Sequence, residues 1–390
     1  MTLSSEWSFA ASAARPCDTP SVEADIQFRI ISDAHGAELL ALNEACPIES
    51  SVTFLVDRAP DFFRWPRAVF EEHAYVGMFH RDVLVGCVLA GKHHAYTGTG
   101  DGYGDVLYIG DARVLPRMRG RRLTERAVNV VETHLGADVQ FGYFLVKRGN
   151  NNAAAMAQSV RVNRAARASL GSFEIVNTWL PSFARRTQNL RVREADPRDV
   201  PRVASLLADA RKGRLFAPAV DVGALAKRIR EATPFPGERV YVAERHGDVV
   251  GSVTVHDAFD ARRTRLLRLG WQASALRAAY LVARCAMPNA QSPPRPGEAL
   301  RTFSIVDVGI ANDDPAVLHD LLVHVARANM SAGYHVVRTG FAKGDPLRAS
   351  VSGIAAQRAV ADVHVAFRDS EASRRALSLS RGPHVDLRIV

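Results

Sequence analysis

The stretch "DARVLPRMRGRRLTERAVNVVE", Asp111 to Glu132, decides how this chain is read. Its first residues have strand character and stop at Pro116. Arg117, Arg119, Arg121 and Arg122 then crowd around Gly120, and a helix begins. Leu123, Ala127, Val130, Val131 and Leu135 fall on one apolar stripe at helical spacing. A helix N-terminus leaves its first N–H groups unpaired, and the helix dipole adds positive character there. Arginines at that end oppose the dipole, a local cost that a bound polyanion offsets. Glycine lets the backbone approach a phosphate closely. The segment reads as strand, phosphate cradle and helix, or as the basic helix start of an arginine-rich protein.

The totals bound the alternatives. The chain has 390 residues, 47% of them apolar, which suits two or three domains with real cores. Its formal charge is +9, carried almost wholly by arginine. Genomic composition explains such a bias, as does attraction to an anionic ligand, an acidic carrier protein or nucleic acid. Nucleic acid is the weakest reading, since no zinc-finger spacing, RNP-type motif or basic heptad is present. Cys17, Cys46, Cys87 and Cys285 lie far apart, which argues against a disulfide framework or a structural zinc site and fits the cytoplasm. The N-terminus lacks a basic region followed by an apolar core, so it reads as a mobile lead-in over residues 1–25 rather than a secretory signal. No run is apolar enough to span a membrane. The nearest, Leu266 to Met287, is interrupted by Arg268, Arg277 and Arg284 and reads as one long amphipathic helix.

The chain also repeats itself. "FRIISDAHGAELLALN" from Phe28 parallels "LRVREADPRDVPRVASLL" from Leu190 as strand, capping turn and helix. "YVGMFHRDVLVGCVLAGKHHAY" from Tyr75 parallels "YVAERHGDVVGSVTVHDAF" from Tyr241 as a hairpin with a Val-Gly step at Gly86 and Gly251. Both pairs are offset by about 165 residues, the sign of two similar units. Each continues with a strand, a helix and a strand. The expected fold class is α/β (α+β), with two tandem units, each a mixed central sheet flanked by helices. Their boundary falls near Pro181 to Leu190, giving 26–182 and 183–390. A helix or turn is expected after "YHVVRTGFA", and a closing strand in "PHVDLRIV".

This order resembles the GNAT superfamily of acyl-CoA-dependent N-acyltransferases in tandem, and more narrowly the bacterial two-domain GNAT proteins. Tyr108, Gly110, Asp111, Arg113, Val114 and Pro116 stand in that group's order before the glycine loop. Pro296–Leu300 and Asp345–Leu347 match its second half. The resemblance is specific in the first half and faint in the second, whose helix start carries Asp313 and Asp314, which would repel a pyrophosphate.

What the resemblance implies is a site for acetyl-CoA or another acyl-CoA, with no metal. Backbone groups of Ala112, Arg113 and Val114 would meet the pantetheine arm. Arg119, Gly120, Arg121, Arg122, Leu123 and Thr124 would hold the pyrophosphate. The family's two glycine places fall on Arg122 and Thr124, so either the backbone still binds or Arg122 fills the approach. Direct transfer needs an uncharged amine, and a strand carboxylate can take the proton. Asp111 is the first candidate and Asp105 the second, with Tyr108 as orienter; the alternative for Asp111 is a structural hydrogen bond at a strand bulge. Asn150 begins an Asn-x-x-Ala that in the family precedes a tyrosine acid. The corresponding positions, Ala157 to Ser159, hold none, which leaves Ser159, Tyr143, an acid elsewhere, or a thiolate that departs without one. His93, His94, His256, His319 and His324 show no metal spacing.

The expected function is transfer of an acyl group, chiefly acetyl, from acyl-CoA to an amine of a small molecule or peptide. An acyl carrier protein as donor, and a non-catalytic CoA-binding or scaffold module, are the alternatives. A homodimer is compatible with the sequence.

Overall fold

The computed structural model describes residues 25–49, 52–100, 102–136, 138–150, 165–183, 190–231, 237–285, 290–368 and 370–389. In chain order the first half holds β1 (Ile26–Ile31), α1 (Gly36–Glu44), β2 (Val52–Asp57), α2 (Arg64–Val69), β3 (Glu72–His80), β4 (Val83–Tyr96), β5 (Tyr103–Val114), α3 (Leu123–Leu135), β6 (Phe141–Lys147) and β7 (Ala165–Trp179). The second holds β8 (Arg191–Glu194), α4 (Val200–Arg211), α5 (Val222–Arg230), β9 (Glu238–Arg245), β10 (Asp248–His256), β11 (Arg263–Leu269), α6 (Trp271–Arg284), β12 (Ala299–Leu300), β13 (Thr302–Ile310), α7 (Pro315–Met330), β14 (Val336–Ala342), β15 (Ala356–Arg368) and α8 (Glu371–Leu379).

The repeat is visible in the strand order. One sheet runs β1-β3-β4-β5-β6-β15-β7-β14-β13-β10-β9-β8. Read from either end it gives the same unit, with β1, β3, β4, β5 and β6 answering to β8, β9, β10, β13 and β14. The last strand of each half crosses over. β15 pairs with β6, and β7 pairs with β14, while β7 and β15 pair with each other along most of their length. Each half-sheet is therefore completed by the other. A second sheet, β12-β11-β2, also joins the halves.

Alternation on the central strands builds two cores. Tyr75, Cys87, Leu89 and Val106 face one side, toward Leu39 and Leu42 of α1. Their neighbours Val76, Val88, Ala90 and Leu107 face the other, toward α3. Leu123, Ala127, Val128, Val131 and Leu135 of α3 are buried there, while Val130 of the expected stripe is only half-buried. Each fully buried Val or Leu contributes about 1.5–3 kcal/mol, so this stripe fixes α3 on the sheet.

Two expectations need correction, and a third needs completing. Leu266 to Met287 is not one helix. β11 takes Arg263–Leu269, with Leu266 buried opposite Phe54 of β2, and α6 starts at Trp271 after Gly270. The end of "PHVDLRIV" forms no strand: Asp386 turns the chain, accepting from Arg388 N at 2.9 Å and Ile389 N at 3.2 Å. Val385, Leu387 and Ile389 are nonetheless buried, as their alternation required. Beyond "YHVVRTGFA" a 3-10 turn (Pro346–Val351) does follow, but the long strand β15 and helix α8 come after it as additional elements. Residues 1–24, Ala153, Ala157 to Ser159, and the inter-unit segment 184–189 lie outside the described residues.

Candidate active site

The site begins where β5 leaves β6. These strands pair in parallel only through Val106, Leu107 and Tyr108 against Phe141, Gly142 and Tyr143. From Ile109 to Val114, β5 keeps β4 on one edge and, among the described residues, has no ladder on the other. Unpaired backbone groups on an accessible edge are a template for an extended ligand. Ala112, Arg113 and Val114 lie on this stretch, and Ala112 is exposed.

The edge leads into the arginine loop. After a 3-10 turn (Pro116–Met118), Gly120 adopts φ +81° and Arg122 φ +52°, ψ +27°. A Cβ at Gly120 would meet nothing within 4 Å, so the space beside it is open. Arg122 is the helix N-cap, and no side chain caps α3 there. A position where the family pattern places glycine thus holds a left-handed backbone with an arginine on it, a conformation costing a non-glycine residue about 1–2 kcal/mol. Arg119 and Arg122 are exposed and Arg121 is half-buried. The Arg119 Nε donates to Val114 O at 3.2 Å, tying loop to strand. Leu123 is buried in the α3 core, and Thr124 follows in the first turn. Asn150 is exposed at the turn after β6, and its N–H donates to Lys147 O at 3.1 Å.

On β5 itself, Asp111 sits in a bulge. Cys87 pairs with Arg113 and Leu89 with Gly110, so Val88 faces both Asp111 and Ala112. Asp111 takes φ +49°, a region aspartate tolerates better than most residues. Its side chain is 9% exposed and fully engaged. Arg58 Nη1 lies 2.7 Å from Oδ2, Arg113 Nη1 bonds Oδ1, and the Tyr75 hydroxyl donates to Oδ2 at 2.9 Å. The Arg58 side chain is wholly buried, with its guanidinium carbon 4.8 Å from the Phe62 ring centre and 4.5 Å from that of Trp65. Burial lowers the Arg113 pKa and raises that of Tyr75.

Asp105 lies apart, at the start of β5. It is 39% exposed and pairs with Lys92 and His94, each at 3.2 Å. Hydrogen bonding from His94 holds its carboxyl below the ordinary value. Tyr108 is buried, stacked on Phe70 at 5.8 Å and edge-on to Tyr143 at 5.5 Å. Gly91, opposite Tyr108, makes room for Phe70, since a Cβ there would fall 2.3 Å from the ring. The Tyr143 hydroxyl lies 3.5 Å from His93 Nε2, and burial lowers the His93 pKa. The structure therefore joins Asp111, Arg113 and Tyr75 with Arg58, and separates Asp105 from them. Arg58 and Trp65 carried no sequence signal, because each reaches the site from a distant segment.

Residues 38–160 match the family model described as "Acetyltransferase (GNAT) family". That segment, in the first half, is similar to the GNAT acetyltransferases. No curated protein sequence matches this chain. In fold it is similar over its whole length to Saccharomyces cerevisiae N-myristoyltransferase with bound myristoyl-CoA, at 11% identity and TM-score 0.58, covering 96% of this chain and 92% of that one. Another structure of that yeast enzyme gives TM-score 0.59 at 11% identity, with 93% and 86% covered. A GCN5-related N-acetyltransferase from Kribbella flavida gives TM-score 0.46 at 13% identity, with 90% and 73% covered. The likeness to the yeast enzyme extends through both GNAT-like halves.

The second half repeats the same geometry with different contents. β13 and β14 pair only through Thr302, Phe303 and Ser304, and β13 bulges at Asp307, φ +47°. Asp314 caps α7 by accepting from Ala316 N at 3.0 Å, and pairs with Arg245 at 3.3 Å. A cleft opens here, but Pro383 to Leu387 form part of its wall. Among the described residues, no group of three or more His, Cys, Asp or Glu side chains is placed to hold a metal. No described helix is long and apolar enough to cross a membrane.

Proposed function

We propose that the first half binds acyl-CoA along the free edge of β5 and transfers the acyl group directly to an amine. One observation carries this reading: the Ile109–Val114 edge, which has no strand partner among the described residues, runs into a helix whose N-cap side chain makes no capping hydrogen bond, through left-handed Gly120 and Arg122. The pantetheine amides extend the sheet at Ala112 to Val114. The pyrophosphate takes the N–H groups of Gly120 to Thr124 and the charge of Arg119, Arg121 and Arg122. The myristoyl-CoA bound to the similarly folded yeast enzyme supports an acyl-CoA co-substrate for this fold.

In the reaction the amine nitrogen attacks the thioester carbonyl. A C–N bond forms, the C–S bond breaks, and the proton lost by the amine is balanced by the one the departing CoA thiolate takes up from solvent, so CoA leaves as the free thiol. Asp111 is suited to anchoring the bulge, because a carboxylate held by two guanidinium groups is stabilised in its charged form and is a weak proton acceptor. The second half completes the sheet through β15 and shapes the acceptor side, while its own helix start is occupied by Asp314.

Calorimetry of the full chain with CoA tests the donor site. Micromolar to millimolar binding, lost in Gly120→Trp, is expected. No binding to the unaltered protein at millimolar CoA would overturn the reading. Thioester consumption with acetyl-CoA compared with acetyl-loaded acyl carrier protein identifies the donor.

A further inference from the structure

Asp111 and Asp307 occupy equivalent bulges, and their surroundings differ in charge. Around Asp307 the ionic groups balance. Arg211, Arg228 and Arg388 bond Asp307 at 2.5–3.0 Å. Glu238 accepts from Arg228 at 2.6 Å and Arg388 at 2.8 Å, and Asp386 from Arg388 at 2.9 Å. Three guanidinium groups thus meet three carboxylates.

Around Asp111 they do not balance. Its two oxygens are taken by Arg58 and Arg113. A third guanidinium, Arg262, approaches from the second half, from the loop between β10 and β11. Its carbon lies 4.8 Å from the centre of the Trp65 ring, the ring that Arg58 also contacts. Arg262 is half-buried, and among the described residues its guanidinium has no hydrogen bond or ion pair. Burial and the charges of Arg58 and Arg338 lower its pKa to about 9. A cation–π contact does not neutralise charge, and a half-buried cation crowded by other guanidinium groups without a carboxylate is costly. An anion brought by a ligand would remove that cost.

The cofactor's phosphates are not that anion. Their loop opens α3, which packs on the Val88 face of the sheet, whereas Trp65 and Tyr75 belong to the opposite core. The planar fork of one guanidinium fits one carboxylate. We infer that the acceptor amine carries a carboxylate, as an amino acid does, and that Arg262 receives it. This rests on the acyltransfer reading above and specifies its acceptor.

The test uses the full chain and the proteinogenic amino acids, each beside its carboxamide, with thermal shift and calorimetry as readouts. At least one acid is expected to bind roughly tenfold or more tightly than its amide. In Arg262→Gln that preference disappears while CoA affinity is unchanged, and Arg262→Lys keeps part of it. The melting temperature of ligand-free Arg262→Gln should not fall, since the substitution relieves cation crowding; this separates loss of binding from loss of fold. Equal binding of acids and amides, or no binding of any acid, overturns the inference. So does loss of CoA affinity in Arg262→Gln, which would assign the guanidinium to the cofactor. Failure of the donor reading appears separately, as absence of CoA binding in the unaltered protein.

Discussion

Asp111→Asn separates an anchoring carboxylate from a catalytic one. Asparagine tolerates the left-handed backbone at this position, so the bulge itself is not strained by the change. What changes is charge. Arg58, whose side chain is wholly buried, loses its carboxylate, and Arg113 loses it too. Removing one partner of a buried ion pair typically costs about 3–5 kcal/mol. That is a large fraction of the roughly 5–15 kcal/mol that holds a domain folded. Urea denaturation should show a midpoint lowered accordingly with little change in slope. Adding Arg58→Met should recover part of the loss, because an apolar side chain between Phe62 and Trp65 needs no counter-charge. Where Asp111→Asn is still folded, kcat with acetyl-CoA should stay within about tenfold of the original, less than loss of a general base removes. A stability loss below about 1 kcal/mol, with loss of the acidic limb of the kcat profile, would refute the anchoring role and make Asp111 the base. If Asp111 only anchors, the proton acceptor is to be sought near His93, whose lowered pKa leaves a neutral imidazole beside Tyr143.

Two further outcomes follow from the geometry. Arg122→Gly should leave ligand-free stability within about 1 kcal/mol, since relief of the left-handed strain is offset by the greater freedom of unfolded glycine. The same change should raise the CoA dissociation constant about five- to tenfold by removing one charge-assisted contact, which calorimetry reads directly; tighter binding would mean that the side chain obstructs the loop. His384, whose pKa burial and the nearby Arg211 charge lower to about 4, stays neutral in the fold. Its unfolded pKa is higher, so the unfolded chain takes up the proton first as pH falls from about 6.5 to 4. The penalty is absent above that window, reaches about 2 kcal/mol near pH 5, and should be missing from denaturation curves of His384→Gln.

The parts of the fold legible in sequence are those fixed by local pattern. The stripe on α3, the hairpins β3–β4 and β9–β10, and the end of β5 near Pro116 all follow from residue spacing and turn chemistry. Partner choice was not legible. β15 carries alternating Val363, Val365 and Phe367, but nothing in that pattern says it completes the sheet of the other half. "LLRLGWQ" fits a strand or a helix start; pairing with β2, some two hundred residues earlier in the chain, selects the strand. The loop's shape was readable because it is set locally, by a proline turn, a glycine and a helix start. The Asp111 cluster was not, because Arg58, Tyr75 and Arg262 converge on it from three separate segments.

Duplication explains why the two halves share a bulge, and charge explains why they do not share a role. An aspartate in a left-handed bulge must be satisfied in each half, and each half does so with arginines. In the second, Glu238 and Asp386 complete the charge balance, the C-terminal segment lines the cleft, and Asp314 caps the helix that would face a pyrophosphate. The charge around Asp307 and the start of α7 are thus satisfied from within the chain. In the first, the helix start has no side-chain cap, the β5 edge has no ladder, and Arg262 has no carboxylate among the described residues. Open groups of three kinds gather around one strand, and no internal partner among the described residues competes with a ligand for them. A thioester donor with a pyrophosphate and an acceptor with a carboxylate would meet all three together.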